Sequence, residues 1–495
     1  MTDWSLVRAE FPAAARYTYL NTAGAPPISR RAASEARRYY DEMLAHGDLP
    51  WPRWLEQVEH VRGRVARLLH ADPDEIAFTY SASHAFNLVV RMFDAAAHVV
   101  AMDDEFPSAT LPWLQHGHRV SFVRADASGE ISLAAIEREI SSDTRAVVTS
   151  TVMYRTGFRQ DLRAIADLCR RRGVRLIVDG SQSMGVVDVD VHRDGIDAFG
   201  FAGYKWTMAG YGIGALYVSR DLLRSAPPPV AGWWSARDPE AVINDRLDLK
   251  DTAAVVEVGC PHFAGIFALG GSLELIEEIG QPVLAARVSE LTDYLYTRLD
   301  EAGFEIASPR DPERRAGITI VKFPDAPAAV EKLSAAGIVV SARGAGIRIS
   351  VQVFNLEADI DRCVAALRAL RRDERVPVPP SDAPARVVCV DLNGVLDRYA
   401  GWRGEEHWDA PAPGAREFLR TLREHGCRIV VFTTRHYLGA QRWLAEHDLL
   451  QYVSEVTDTK PAADVFVDDR AICHRGNFAE TVDQVLSFNT HWQRA

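Results

Sequence analysis

Short apolar stretches alternate with amphipathic stretches through most of the first 375 residues. Residues 146–152 and 175–179 are apolar runs that predict buried strands, and the spacing of apolar positions in residues 161–172 predicts a helix between them. This alternation indicates an α/β fold with a mainly parallel sheet covered by helices on both faces. Ligands of such sheets bind at the carboxyl ends of the strands. Residues that follow the apolar runs are therefore the candidates for function.

The alternation stops at residues 376–385, where a proline-rich segment follows a charged helix end. Such a composition predicts a semi-rigid linker and therefore a domain boundary. Beyond it, residues 385–390, 427–432 and 464–467 predict strands, and residues 416–425 predict a helix. We therefore expect a first domain at residues 1–375 and a smaller α/β domain at residues 386–495.

Composition narrows the possible partners. The chain has 495 residues, of which 47% are hydrophobic and 25% charged, as expected for soluble domains. A net charge of -12 argues against binding to nucleic acid or to anionic membranes, which need basic surfaces. The N-terminus lacks the pattern of a signal peptide, no apolar run is long enough to span a membrane, and the six cysteines are dispersed. These features predict a cytoplasmic protein with reduced thiols.

Two apolar runs of the first domain lead into residues with distinctive chemistry. Asp179 ends the run at residues 175–179, and Lys205 follows the run at residues 198–202. A lysine that forms an imine and a carboxylate that protonates a pyridine nitrogen are what pyridoxal 5'-phosphate (PLP) requires. Taken singly, each has an ordinary explanation, a solvated lysine or a helix-capping aspartate. Together they predict a PLP site.

Several ordered motifs between residues 15 and 372 are similar to those of class V aminotransferases, the group of fold-type-I PLP enzymes that includes cysteine desulfurases, isopenicillin N epimerase-like proteins and kynureninase. The matching segments are residues 19–24, 79–84, 104–108, 156–162, 178–182, 203–206 and 348–350. The resemblance implies a mainly parallel large domain at about residues 20–250. It also implies a small α/β domain formed by the N-terminus and about residues 251–375. An amino acid substrate and a homodimer with shared PLP sites follow from the same resemblance.

The resemblance also implies roles for individual residues. Lys205 would bind PLP as an imine and then move the Cα proton of the substrate. Asp179 would pair with the pyridinium nitrogen, and Gln182 would donate a hydrogen bond to the phenolate oxygen. Phe106 stands where relatives stack a ring on the cofactor, and a buried core phenylalanine is the alternative.

Binding of the 5'-phosphate is expected at three places. Ser81, Ala82 and Ser83 precede an apolar helix, and amide groups at a helix N-terminus suit a phosphate. Tyr204 stands where relatives often have a phosphate-binding histidine. Cys260 replaces the usual threonine in a segment that relatives contribute to the cofactor phosphate of the partner subunit.

Arginines are expected to bind the substrate. A planar guanidinium matches a carboxylate, which favours Arg348 as the reader of the α-carboxylate, with Arg343 as an alternative or an assistant. Arg159 is expected to stabilise a loop, with a place near the substrate as the alternative. Residues 339–346 lack the mobile cysteine that cysteine desulfurases need, which argues against direct persulfide chemistry. Transamination, β- or γ-elimination and epimerisation all remain open.

Four segments of the second domain are similar, in order, to the motifs of the haloacid dehalogenase (HAD) superfamily: residues 391–396, Thr433, Lys460 and residues 468–469. The resemblance implies a Rossmann-like domain with a minimal cap. Asp391 would attack phosphorus, and Thr433 and Lys460 would orient the phosphoryl group. Magnesium would be bound by Asp391, the backbone carbonyl of Asn393 and Asp468.

Asn393 departs from the HAD pattern, because phosphatases have a second aspartate there as acid and base. General acid–base catalysis contributes about 10²–10⁴-fold, so a weak phosphatase, one restricted to good leaving groups, a binding domain or a structural domain all remain open. The leading hypothesis is a PLP enzyme fused to a metal-binding HAD-like domain. One alternative places the chemistry in the HAD-like domain on a dimeric PLP-fold scaffold. Another is a sensor that binds PLP or amino acids without turnover.

Overall fold

The computed structural model describes residues 2–126, 130–344, 346–372, 386–404, 407–473 and 484–487. The chain divides into two compact units, residues 1–377 and 378–495, and each is described by itself. The predicted linker at residues 376–385 lies outside the described residues. Every helix in the described part of the chain is too short or too polar to span a lipid bilayer.

The elements of the described residues are numbered along the chain. The strands are β1 Thr18–Tyr19, β2 Ile76–Thr79, β3 His98–Met102, β4 Arg119–Val123, β5 Thr144–Ser150, β6 Arg175–Asp179, β7 Ala198–Ala202, β8 Gly214–Val218, β9 Ile318–Lys322, β10 Ile338–Val339, β11 Ser341–Arg343, β12 Gly346–Ser350, β13 Val387–Asp391, β14 Arg428–Phe432, β15 Glu455–Thr457 and β16 Val465–Val467. The α-helices are α1 Trp4–Ala9, α2 Pro12–Arg16, α3 Arg30–His46, α4 Trp51–Leu69, α5 Ala82–Val89, α6 Pro107–Gln115, α7 Leu133–Glu139, α8 Leu162–Arg172, α9 Arg220–Ser225, α10 Phe263–Ile279, α11 Gln281–Glu301, α12 Ala326–Ala335, α13 Glu357–Arg371, α14 Ala415–Glu424 and α15 Tyr437–Glu446.

A seven-stranded sheet forms the centre of the first unit, in the order β2-β8-β7-β6-β5-β3-β4. Neighbouring strands are parallel except that β8 runs antiparallel to β2 and β7. Successive residues of a strand belong to different hydrophobic cores. Val147 of β5 and Val178 of β6 belong to one core, and their neighbours Val148 and Ile177 belong to the other. Helices thus cover both faces of the sheet, which explains why its strands are continuous apolar runs. The predicted mainly parallel sheet is confirmed.

Two smaller sheets complete the first unit. Strands β11, β12 and β9 form an antiparallel sheet in that order, and β1 pairs in parallel with β10. The N-terminal segment is therefore attached to residues 338–339, far along the chain. Because β12 lies centrally in its sheet, Arg348 has a fixed backbone position.

The second unit contains a four-stranded parallel sheet in the order β15-β14-β13-β16. Helices α14 and α15 pack on it through a core that includes Leu419, Val431 and Leu444. The predicted strands and helix are present with ends shifted by one or two residues, since helix and strand ends fray. The carboxyl ends of β13, β14 and β16 bring Asp391, Thr433 and Asp468 to one edge.

Candidate active site

The two residues that predicted a cofactor site lie on neighbouring strands. Strand β6 ends at Asp179, which pairs in register with Gly200 of β7, and Lys205 follows β7 by three residues. Asp179 is 4% exposed and Lys205 is 6% exposed. The Ser181 amide donates to Asp179 Oδ1 at 2.8 Å, which fixes that carboxylate. The sheet thus buries an amine and a carboxylate at the same edge.

Burial changes the protonation of Lys205. Loss of water, opposed by Asp179 and assisted by Arg348 and Arg343, lowers the pKa of Lys205 to about 8. At pH 7, about one molecule in ten would then carry a neutral amine, against about one in three thousand for an unperturbed lysine. A neutral amine is the form of a lysine that can act as a nucleophile or as a base.

Aromatic side chains line the approach to Lys205. The Lys205 Nζ lies 5.2 Å from the centroid of the Phe106 ring, and the Phe106 ring meets Tyr154 edge-on at 5.3 Å. Phe106 is 38% exposed, so it is not a core residue. Its ring faces the space in front of the amine, as stacking on a planar ligand requires.

Both polar atoms of the Gln182 side-chain amide form hydrogen bonds within the protein. Its Nε2 donates to the carbonyl of Ala23 at 3.0 Å, and its Oε1 accepts from the Trp206 indole at 2.8 Å. These bonds fix which atom is the donor, and an amide NH₂ has a second hydrogen to offer. Gln182 is buried, so a ligand beside it would find a preoriented donor.

Three of the residues expected at the phosphate, Ser81, Ala82 and Ser83, lie at the start of α5. Ser81 caps this helix by accepting from the His84 amide at 3.1 Å, and Ala82 and Ser83 form its first turn. The Ser83 hydroxyl lies 2.7 Å from the Ser108 hydroxyl. A helix N-terminus with free amide donors favours an anion.

Tyr204 and Cys260 occupy different environments. Tyr204 stacks on Tyr211 with ring centroids 4.4 Å apart, and burial, followed by Tyr211, raises the pKa of its phenol. Its hydroxyl therefore stays a neutral hydrogen-bond donor. Cys260 is exposed on the surface of the unit.

Arg348 is almost completely buried, with 2% exposure. Its Nε donates to Ser341 Oγ at 3.2 Å, and its Nη1 donates to the Tyr154 carbonyl at 3.2 Å. Burial, followed by Arg343, lowers the pKa of Arg348 to about 10. Within the part of the chain that the structure describes, Arg348 has no salt-bridge partner, so its charge is available to a ligand.

Arg159 lines a cavity whose lining includes none of Asp179, Lys205 and Arg348. Its amide donates to the Arg314 carbonyl at 2.9 Å, and the cavity, of about 440 Å³, is also lined by Asp161, Asp188 and Glu313. This placement fits the expected structural role.

Glu105 was not singled out by its sequence context, yet it is buried beside the site. It accepts from the amide of Ser150 at 2.7 Å and also from the Ser150 hydroxyl. Burial raises the pKa of Glu105 to about 8, and Asp179 contributes in the same direction. Glu105 therefore ties the end of β5 to the segment that presents Phe106. The sequence feature that could have indicated Glu105 is its position directly before Phe106.

The sequence profile of the family described as Aminotransferase class-V matches residues 18–369. That span contains all the residues just described. The chain belongs to the class V aminotransferase family. The predicted type of enzyme is therefore confirmed.

Relatives of this class V aminotransferase family member include the uncharacterized aminotransferase YcbU of Bacillus subtilis, which is 25% identical over 364 residues, 73% of this chain and 96% of that protein. A probable cysteine desulfurase of Methanothermobacter thermautotrophicus is 30% identical over 322 residues, 63% of this chain and 79% of that protein. The apo cysteine desulfurase from Thermococcus onnurineus NA1 has a TM-score of 0.70 at 22% identity, covering 75% of this chain and 99% of that one. A C-DES mutant with glycine covalently linked to its PLP cofactor has a TM-score of 0.67 at 22% identity, covering 74% and 99%. These matches confirm the fold-type-I architecture.

The class V profile ends before the second unit, which contains a cluster of its own. Oxygen atoms of Asp391, Asp468 and Asp469 lie within 4.8 Å of one another. Burial, followed by the charge of Asp468, raises the pKa of Asp391 to about 7. Asp391 Oδ2 is buried and lies 3.6 Å from the Arg470 guanidinium, beyond hydrogen-bond distance. Such oxygens are suitable ligands for a hard divalent cation.

The other predicted residues of this unit are only partly brought together. Thr433 donates to Asn393 Oδ1 at 3.3 Å, and Asn393 Nδ2 donates to Asp397 at 2.8 Å. Lys460 is exposed, and its Nζ lies 4.8 Å from the Phe466 ring centroid. Arg470, which the motif comparison did not single out, approaches Asp391 instead.

Proposed function

We propose that this protein is a PLP-dependent enzyme that acts at the Cα atom of an amino acid, with Lys205 as its cofactor-binding and proton-transferring residue. The observation that carries the proposal is the burial of Lys205 and Asp179 on neighbouring strands, beneath the Phe106 ring. A structural lysine at a strand end would be solvated or paired with a carboxylate, and Lys205 is neither in the described part of the chain.

The donor set fits PLP. Lys205 supplies a largely desolvated amine, Asp179 a buried carboxylate for the pyridine nitrogen, and Gln182 an oriented amide donor. The start of α5 suits the phosphate. The Phe106 ring would cover one face of the heterocycle and keep water from it.

When bound, PLP supplies an electron sink that makes the Cα proton of an amino acid acidic. The protein residues direct this chemistry. Arg348 would bind the α-carboxylate through two parallel hydrogen bonds, which fixes the position of Cα. The neutral amine of Lys205 would then accept the Cα proton and return it.

The class of reaction can be found by experiment. Residues 339–346 contain no cysteine, so direct persulfide formation is not proposed. Holoprotein should be incubated with a panel of amino acids, while keto acid, ammonia, sulfide, racemisation and phosphate are followed in parallel. Spectral changes without any product would instead support the sensor hypothesis.

We further propose a homodimer with shared sites. Cys260 is exposed at the start of the segment leading into α10, as a residue that reaches a second subunit would be. Analytical ultracentrifugation of the full chain tests this proposal, which fails if the protein remains monomeric with cofactor bound.

The lowered pKa of Lys205 predicts how cofactor uptake depends on pH. Only the neutral amine reacts, so the rate of PLP uptake by apoprotein should rise about tenfold between pH 7 and pH 9 and level off above about pH 9. Stopped-flow absorbance measures the rate, and a soluble lysine derivative provides the control for ionisation of PLP itself. A rate that keeps rising through pH 10 would show an unperturbed lysine.

For the second unit, we propose a HAD-type site that binds a divalent cation such as Mg²⁺ through Asp391, Asp468 and Asp469, with the Asn393 carbonyl as a further ligand. The mutual distances of the three carboxylates support it. If catalysis resided only here, Asp391→Asn would abolish activity and Lys205→Ala would not.

Replacement of Asp468 by asparagine is expected to weaken binding of the divalent cation at least about tenfold, since one charged ligand is lost. Calorimetric titration of the full chain with Mg²⁺ or Mn²⁺ measures the change. Asp448→Asn is the matched control, because Asp448 is an exposed carboxylate at φ 55°, a conformation that asparagine tolerates. Equal affinity of both variants for the divalent cation would contradict the proposed site.

A further inference from the structure

The hairpin that presents Arg348 also presents a second arginine on the same face. Strands β11 and β12 are antiparallel, and Ser341 is opposite Arg348 while Arg343 is opposite Gly346. Cross-strand partners, and residues two apart on a strand, share a face of a sheet. Arg343 therefore lies on the face where Ser341 accepts from Arg348.

Arg343 is close enough to act on the contents of the site. Its charge lowers the pKa of both Lys205 and Arg348. Arg343 is itself exposed, and its Nη1 donates to the carbonyl of the adjacent Ala342 at 2.7 Å. Its other donors have no hydrogen-bond partner among the described residues and are open to solvent.

The carboxylates around the site are already accounted for. Asp104 pairs with Arg155 at 2.8 Å, and Asp179 is buried and accepts from the Ser181 amide. Glu105 accepts two hydrogen bonds from Ser150, and its pKa of about 8 makes it mainly neutral at pH 7.

No salt-bridge partner of Arg343 or Arg348 occurs among the residues that the structure describes. The α-carboxylate of a substrate would neutralise only one of these two cations. Uncompensated positive charge beside the site favours a ligand with a further negative charge.

We propose that Arg343 binds a second anionic group of the substrate, so that the enzyme acts on amino acids with an acidic side chain, a carboxylate or a phosphoryl group. This inference rests on the proposed function and specifies its substrate class. Arg348 reads the α-carboxylate, and Arg343, two residues along the neighbouring strand from the Ser341 contact, reads the end of the side chain. The planar guanidinium fits both kinds of anion through paired hydrogen bonds.

The test uses pairs of amino acids that differ in the side-chain charge. Holoprotein is titrated with aspartate and asparagine, glutamate and glutamine, and O-phosphoserine and serine, and apparent Kd values are read from cofactor absorbance. The acidic member of at least one pair should bind about 10–100-fold more tightly, as expected for a charged hydrogen bond. The pair with the largest ratio distinguishes a carboxylate from a phosphoryl group.

Variants then assign the preference to Arg343. Arg343→Gln should lower the ratio of the affinity for the acidic member to that for the neutral member, whereas Arg348→Gln should weaken the binding of both members by a similar factor. Arg343→Lys should retain part of the preference, since lysine keeps the positive charge but lacks the planar pair of donors of a guanidinium. Arg310→Gln is the control, because Arg310 is an exposed arginine paired with Asp300.

Two results would overturn the inference. The first is equal binding of both members of every pair by the wild-type holoprotein, which requires no variant. The second is a preference that survives in Arg343→Gln, which includes the case in which both members lose affinity by the same factor. A protein that never acquires a cofactor band overturns the proposed function and this inference with it. Holoprotein that binds amino acids without regard to side-chain charge overturns the inference alone.

Discussion

Replacement of Lys205 by alanine is expected to abolish the visible absorption band of the cofactor-loaded protein and to reduce turnover at least about 10³-fold. In the proposed function the amine both attaches the cofactor and moves the Cα proton, and general acid–base catalysis alone contributes about 10²–10⁴-fold. The loss should persist at saturating PLP, because weaker cofactor binding is only part of the defect. Absorbance scans after dialysis and product assays measure the two effects separately.

Lys250→Ala provides the matched control for this experiment. Lys250 is also partly buried, lies 5.0 Å from the Trp234 ring centroid, and has a pKa lowered by burial, yet it donates to the Trp234 carbonyl. It should keep the cofactor band. A wild-type protein that remains colourless with excess PLP, or a Lys205→Ala protein with full activity, would contradict the proposed function.

The positions of Asp179 and Lys205 were predictable because local sequence determines them. Both follow apolar runs, and parallel strands of one sheet bring their carboxyl ends to a common edge. Asp179, Lys205 and Gln182 also occur within motifs that resemble those of class V aminotransferases. The family and the fold, which are confirmed, could therefore be predicted from sequence patterns alone.

The environment of Arg348 was less predictable, because it depends on contacts between distant segments. Its contact with Tyr154 joins residues 194 positions apart, and its contact with Ser341 depends on hairpin register. A slip of one residue would place Arg343 on the opposite face. Sequence reasoning could name Arg343 as a neighbour, but its side of the sheet required the structure.

Glu105 shows a different limit of prediction from the sequence. A glutamate in a sequence is usually solvated, and only the folded chain reveals that this one is buried against Ser150 with its pKa raised to about 8. In the second unit, the order of motifs predicted Asp391 and Asp468 at the sheet edge. The motifs did not predict that Arg470 would approach Asp391 while Lys460 lies over Phe466. Both observations depend on side-chain direction, which strand periodicity does not determine.

Replacement of Asn393 by aspartate is expected to raise phosphatase activity of the proposed HAD-type site by about 10²–10⁴-fold, the usual contribution of a general acid and base. The new carboxyl would occupy the place of an amide that lies 2.8 Å from Asp397. Burial already raises the pKa of Asp397. Two carboxyl groups at that distance share a proton, so one of them would stay protonated near neutral pH and serve as an acid.

The choice of substrates makes this prediction specific. An alkyl phosphate has a poor leaving group that needs protonation, whereas p-nitrophenyl phosphate has a good one, so the gain should be larger for the alkyl ester. Phosphate release in the presence of Mg²⁺ measures both. The double variant Asn393→Asp with Asp391→Asn should lose the gain, because the nucleophile is then absent. If Asn393→Asp alone gave no increase for either ester, the missing carboxyl group would not be what limits this site, and a binding role would replace the phosphatase hypothesis.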